Sequence, residues 1–594
     1  MNHDVAARLR SAKRFAPAAV NVEERADGAV ILRSPKPLGA YPPALGAHLV
    51  RWAKEAPARA FLLERRDGQW RGVTYGEALE RVRSIAQWLL DRGLTAKTPV
   101  LLLSDNSVAH ALVQLAAMHV GIPAAPVSPA YSLLSKDFAK LRLVVDLLQP
   151  GAVFYDDDAR FEPALAKLPP IPRLSLADAL ATTATSKVDD ALSAVDPETV
   201  AKILFTSGST GTPKGVVNTQ RMLCSYQQAI AETWPFLDER APVVVDWLPW
   251  SHTFGGNHNF NMVLRAGGTL YIDNGKPAPG LFDKTVAALE EISPTMYFNV
   301  PRGFDLLAGA LERDRQLATT FFRELDVLFY AAAALPQATW SRLTKVASEV
   351  GATDVSFVAA WGSTETSPLV TQVHFPIDRA GVIGLPAPGC ELKLAAAGPG
   401  STKTEMRVRG PNITPGYWSR GEIVPAVRDE EGFLPTGDAG RLEDRANPER
   451  GVVFDGRLAE NFKLASGTWV AVGELRVMLL DACAPLVSDA VIAGENRDFI
   501  GVLLFPAPNA PADGLRERVA ACLAAHDATH PANSQAVLRA RLLDEPPSID
   551  AGEITDKGYL NQRAVLDRRR ADVDALFADP CPADVIAIRR APPE

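Results

Sequence analysis

Cysteine and histidine are scarce in this chain, 5 and 9 among 594 residues. Cys224, Cys390, Cys483, Cys522 and Cys581 are scattered, with neither metal-ligand spacing nor a disulfide framework, which suits a reducing compartment; all five read as packing residues. The most apolar stretch of the first domain, 111–127, is interrupted by Gln114, His119 and Pro123. It falls short of the roughly 20 apolar residues that a membrane-spanning helix needs. The start, Met1-Asn-His-Asp-Val, has no basic leader followed by an apolar run, so a cytoplasmic protein is expected. Positive charge is not in surplus either. The 62 Lys+Arg against 70 Asp+Glu leave a formal net charge of −8, which argues against general binding to nucleic acid or to an anionic membrane. Any anion site must be local.

What the chain does have is core material, 47% hydrophobic, enough for several lobes. Residues 1–45 are mixed and proline-punctuated and read as an irregular lead wrapping the first domain. From Thr74-Tyr-Gly-Glu77 the apolar positions Leu79, Val82, Ile85, Ala86 and Leu89 fall on one helical face. The strand Val100-Leu-Leu-Leu103, a cap within 104–107, a helix over 110–119 and a strand over 124–127 then make βαβ material. His110 and His119 read as core histidines. Residues 168–196 resemble a surface connection.

That connection leads into Ile203-Leu-Phe-Thr-Ser-Gly-Ser-Thr-Gly-Thr-Pro-Lys-Gly215, a strand that dissolves into small residues. Gly208, Gly211 and Gly215 let the backbone turn its N–H groups toward an anion, Thr206, Ser207, Ser209 and Thr210 add hydroxyl donors, and Lys214 adds charge. This is a phosphate cradle. It is not a Walker A loop, because Gly215 rather than Ser or Thr follows the lysine.

Residues 207–215 resemble the loop of the adenylate-forming enzymes, the superfamily of acyl-CoA synthetases, luciferases and peptide-synthetase adenylation domains. Two further stretches carry the same resemblance, Ala359-Ala-Trp-Gly-Ser-Thr-Glu-Thr366 and Leu434-Pro-Thr-Gly-Asp438, the latter followed by Gly456-Arg457. The resemblance implies an α/β fold: a large N-terminal adenylation domain over 1–457, made of two βαβ-type subdomains and a small β-barrel, then a small mobile α+β lid over 458–594. It also implies roles. Trp361 and Gly362 would lie at the adenine, Ser363 would bind the cofactor beside them, Thr364 would act catalytically at the α-phosphate and Glu365 would hold magnesium, while Asp438 and Arg457 would clamp the ribose. In Gly552-Glu-Ile-Thr-Asp-Lys-Gly558, Lys557 would be the catalytic lysine, with Asp556 where glycine is usual. His252 would stand at the mouth of the acid pocket in a catalytic or binding role, and His258, Asn259, Tyr297, Asn299, Ala332 and Ala333 would line that pocket. Ala459 would be the hinge, and Gly467 would let the pantetheine arm of CoA approach.

The implied activity joins a small-molecule carboxylic acid to coenzyme A through an acyl-adenylate, with ATP, magnesium and CoA as cofactors. Leu458-Ala-Glu-Asn-Phe-Lys-Leu464 departs from the wider family and resembles the bacterial feruloyl-CoA synthase branch, so a hydroxycinnamic acid is expected. The same signatures would serve a fatty-acyl or benzoate ligase, or an enzyme loading a carrier protein. A catalytically inactive nucleotide-binding protein is the reading from another class, and monomer and homodimer stay equally open. The cluster Arg568-Arg-Arg570 reads as a solvated helix face.

Overall fold

Strands such as Val100–Leu103 and Val327–Tyr330 are apolar throughout and buried along their whole length, which suits parallel sheets covered on both faces. The computed structural model describes residues 14–588 apart from 207–212, 279, 332, 334, 376, 378, 380, 399–402, 508–509 and 555–559. Two large sheets organise the N-terminal part. In one, Ala60–Arg66, Thr269–Ile272, Val243–Asp246, Met296–Asn299, Val327–Tyr330 and Ser356–Trp361 run parallel in that spatial order. Beyond Ser356–Trp361 the same sheet continues antiparallel through Thr371–Gln372 and Val382–Pro386 into the 384–457 region, where Leu392, Met406 and Val408 form a separate core.

The lead is more ordered than expected. Asn21–Glu24 and Val30–Arg33 form a hairpin whose Leu32 pairs with Leu392, because Val30 and Leu32 are apolar enough to close the sheet over that core. The second sheet is ordered Ala152–Tyr155, Val100–Leu103, Ala124–Pro126, Val200–Thr206, Lys214–Thr219, Gly416–Ser419, Glu422–Pro425. Its helices start where hydroxyl caps stand. Thr74 forms a capping box with Glu77 at Tyr75–Asp91, Ser107 accepts from His110 N at Val108–His119, and Thr219 accepts from Met222 N at Gln220–Thr233.

After Arg457 the chain turns over 458–460 and builds a second unit. Its sheet, Val487–Ala493, Ile500–Pro506, Val537–Leu542 and Ile586–Ala587, buries Leu475, Leu479, Val519 and Leu523 on one face and Val565 and Leu576 on the other. Glu553 is wholly buried there. It accepts from Arg568 Nη1 at 2.5 Å, Arg569 Nε at 2.7 Å and Ser548 N at 2.8 Å. The expectation of a solvated arginine face holds for Arg568 and Arg570, which are exposed, and is corrected at Arg569, 8% exposed because it is the counter-charge of Glu553. Toward the N-terminal part the neighbouring turn is held by Lys140 Nζ on Ile549 O, 2.6 Å, and by Lys136 N on Asp550 Oδ2, 3.1 Å.

Removing one partner of a buried ion pair strands the other charge, so Glu553→Ala should destabilise the C-terminal unit by about 3 kcal/mol. Urea unfolding followed by hydrogen exchange in 487–577 measures it. A loss under about 1 kcal/mol, the size of a surface pair, would mean that water serves Arg569 equally well.

Candidate active site

The site forms where the two sheets and the strands of 404–457 meet. The cradle is the tip of a hairpin, Val200–Thr206 against Lys214–Thr219, whose last paired residues are Thr206 and Lys214. Ser207, Gly208, Ser209, Thr210 and Gly211 lie outside the described residues, as do Ala332 and Lys557. Lys214 is exposed, and its ammonium lies 5.5 Å from the centre of the Tyr417 ring. Tyr417 in turn donates its hydroxyl to Glu365 Oε1 at 3.4 Å. Burial, and then the Glu365 charge, push the Tyr417 hydroxyl up to about 12. One aromatic residue thus joins the cradle's cation to the expected magnesium ligand.

Glu365 sits in a short helical turn, Thr364–Thr366, directly after Ser356–Trp361. Gly362 is required there by its own chain, because a Cβ would overlap Pro368 O. Ser363 N donates to Thr366 Oγ1 at 2.8 Å, and Thr364 is buried. From the other side Thr414 N donates to Glu365 O, 2.8 Å, while Asn412 Nδ2 spans Thr366 O and Leu369 O at 2.9 and 2.7 Å. Asn412, Thr414 and Tyr417 carry no signal in a sequence read by motif. The chain only reveals them by passing this turn on its way into Gly416–Ser419.

Trp361 is buried, and its indole N–H donates to Asp438 Oδ2 at 2.9 Å. The other oxygen, Oδ1, is buried with no hydrogen-bond partner; Arg457 Nε stands 3.5 Å away across the strand pair, on a side chain 61% exposed. Burial raises the Asp438 carboxyl; Arg457 and the Trp361 bond oppose that, while the Glu365 charge adds to it. A buried carboxylate oxygen with a free lone pair is a seat for a hydroxyl donor, and the ribose of a nucleotide supplies two. The expected magnesium would find one fixed carboxylate here, Glu365, whose backbone is held by Thr414 and whose Oε1 accepts from Tyr417. A single carboxylate such as Glu365, completed by phosphate and water oxygens, is a usual arrangement for that ion.

The acid-pocket candidates divide. His252 follows the tight turn after Pro249, and its Nδ1 accepts from Phe254 N at 3.2 Å. His258 and Asn259 belong to a π-turn, Phe254–Asn259, and are fully buried. His258 is packed among Tyr226, Trp234, Phe254, Phe298 and Phe329, with ring centres 4.7–6.1 Å away. Burial lowers its imidazole to about 3, so the ring is neutral, and neither nitrogen has a partner. Asn259 lies close enough to favour the charged ring, yet it gives its amide to Asp246 Oδ2, 2.9 Å. Tyr297 and Asn299 point the other way. Strand alternation puts Phe298 against His258, whereas Tyr297 packs on Phe304 and Phe321 and Asn299 is engaged by Trp247 and by the Tyr297 hydroxyl. Tyr297 and Asn299 therefore do not share a face with His258, which Phe298 and Phe329, register partners on adjacent strands, meet instead. Ala333 is exposed, as is Ala459 in the 458–460 turn. Gly467 has φ +83° at the tip of a hairpin, a conformation that favours glycine.

Comparison with known proteins agrees with this architecture. Residues 49–418 match the AMP-binding enzyme family, and residues 465–580 match the AMP-binding enzyme C-terminal domain. The chain belongs to that family. It is 24% identical over 587 residues to the long-chain-fatty-acid–CoA ligase FadD15 of Mycobacterium bovis, covering 86% of this chain and 93% of that one. Among solved structures it resembles a malonyl-CoA ligase ternary product complex with methylmalonyl-CoA and AMP bound (TM-score 0.55, 28% identity, 83% and 98% covered). It also shares the fold of an anthranilate CoA ligase in complex with anthranoyl-AMP (TM-score 0.69, 18% identity, 90% and 98% covered).

Asp438→Ala removes the partner of Trp361 and the unpartnered oxygen at which a ribose hydroxyl is expected. A hydrogen bond to a charged group contributes about 1.5–3 kcal/mol, so KM for ATP should rise roughly 10- to 150-fold. An unchanged ATP dependence would remove Asp438 from the nucleotide site.

Proposed function

We propose that this acyl-CoA ligase, which works through an acyl-adenylate with ATP, magnesium and CoA, acts on a flat aromatic acid, feruloyl or a related hydroxycinnamic acid. The observation that carries this choice is His258. A neutral imidazole with an unused donor and an unused acceptor matches a hydroxyl group, which is both, and the five rings around it suit a planar neighbour. The Tyr226 hydroxyl, also buried without a partner, adds a second polar contact. An alkyl chain would leave these groups unpaired, and sites built to bond a hydroxyl discriminate strongly against ligands that lack one. The similarity to long-chain fatty-acid ligases favours a second reading, a fatty acid, on the strength of relatedness.

A carboxylate does not acylate a thiol until its oxygen becomes a better leaving group, and ATP supplies that as AMP. In this reading the chain's own residues hold the reactants and offset charge. Asp438 and Arg457 orient the ribose, the cradle and Lys214 receive phosphate, Thr364 donates to the phosphate nearest the acid, and Glu365 holds magnesium. Lys557 brings a cation to the acid's oxygen, and removing a contact of that kind typically adds about 3–4 kcal/mol to a barrier. CoA then needs the path that Lys557 uses, so the lid must move. Ala459, exposed in the turn at the domain border, is where the proposal places the pivot, and the Gly467 hairpin is what it presents to the pantetheine arm.

Pyrophosphate release with ATP, magnesium and CoA, measured across ferulate, coumarate, benzoate and fatty acids of several lengths, tests the substrate. Higher kcat/KM for the hydroxylated cinnamates is expected, and His258→Phe should erase that preference. A fatty acid outperforming all aromatic acids would establish the second reading. The pivot has its own test. Ala459→Pro fixes φ near −65° and should leave single-turnover acyl-AMP formation intact while slowing thioester formation at least about a hundredfold. Thioester formation at the parental rate in the folded variant would remove the pivot from Ala459.

A further inference from the structure

Lys202 lies in the middle of Val200–Thr206, four residues before the cradle, and it is wholly buried. Its ammonium donates to the carbonyl of Gly256 at 2.9 Å and lies 5.9 Å from the centre of the Phe260 ring. Among the described residues no carboxylate pairs with it. Burial alone pushes the group down to about 7, and the His110 ring, which senses its charge, is itself held neutral. A buried cation without a counter-charge is a burden on stability, and replacing such a group by an apolar one of similar shape is commonly neutral or stabilising. Packing does not explain Lys202.

Its position does. Directly opposite on the hairpin stands Asn218, so the two side chains share one face of the sheet. Asn218 Oδ1 accepts from Asn257 Nδ2 at 2.8 Å and from Ser367 Oγ at 3.0 Å. Lys202 and Asn218 therefore grip consecutive residues, Gly256 and Asn257, of the π-turn that carries His258. Gln227 Nε2 holds the Asn257 carbonyl from the far side at 2.8 Å. Gly255 and Gly256 let the turn fold tightly on the segment that precedes it, because a Cβ on either would overlap the carbonyls of Leu248 or Trp250. The hairpin whose tip is the phosphate cradle is thus bonded at its root to the turn that shapes the acid pocket.

We propose that Lys202, with Asn218, is a positioning residue that fixes the acid-binding turn against the nucleotide hairpin, so that the acid is presented in register with the phosphate. This rests on the reading of 252–259 as part of the acid site. It predicts a residue kept for geometry at the expense of stability.

The test uses the full chain with Lys202→Met, which keeps the length and removes the donor, and with Asn218→Ala. Lys202→Met should melt at or above the parental temperature at neutral pH. Its KM for the preferred acid should rise about tenfold or more, since misplacing a reactant by about 1 Å is costly, while its KM for ATP stays within about twofold. Asn218→Ala should shift KM for the acid in the same direction. Amide hydrogen exchange across 254–260 should quicken in both variants, a readout that needs no turnover. A Lys202→Met variant that unfolds, or that folds with parental acid KM and parental exchange, overturns the proposal. If the parent releases no pyrophosphate with any acid, the functional reading fails on its own, and the exchange measurement still decides whether Lys202 holds the turn.

Discussion

The antiparallel pairing of Val200–Thr206 with Lys214–Thr219 is the constraint on which the N-terminal part depends. A loop that offers its N–H groups to an anion cannot spend them on its own secondary structure, so its shape has to come from its roots. Those roots are held on every side. Leu141, Val144, Val145 and Leu148 pack beside Ile203, Phe205 and Val217, Tyr417 and Trp418 pair with Val216 and Gly215, and Thr414 Oγ1 donates to Val217 O at 2.7 Å. The turn that carries Glu365 and the turn that carries His258 are both tied to the same hairpin, through Thr414 and Asn218. Three chemically different jobs share one rigid base.

The electrostatics of the cleft are unbalanced in a way that suits this family. Asp438 and Glu365 feel one another's negative charge, and their neighbouring cations, Arg457 and Lys214, are well exposed and therefore screened by solvent. Two carboxylates left in such a state favour ligands that bring hydroxyl donors and a divalent cation. A bare anion gains little there.

Much of this was legible in the order of residues. Small and hydroxyl residues between two apolar strands announce the cradle, Trp361 ends a strand with Glu365 in the turn just after it, and Asp438 stands in the middle of Leu434–Leu442 opposite Arg457. Other parts depend on partners distant in the chain. Tyr297 and Phe298 are equally apolar neighbours, and only strand alternation decides that Phe298 faces His258. Arg569 looks like surface until Glu553 is buried beside it. Lys202 looks like an error in an apolar strand until Gly256 arrives, and the hairpin of 21–33 looks irregular because its two short strands need Glu391–Ala396 to pair with.

The lid has closed cores on both faces of its own sheet, and the polar bonds at Lys136 and Lys140 are the kind that any surface can improvise. Exchanging that unit for one from a relative would leave both of its own cores whole, and the joint to remake is the packing of 472–482 against 452–457 together with the polar bonds at Lys136 and Lys140. A closed core on each side of residue 457 is the physical condition that lets either half change its surface without unfolding the other.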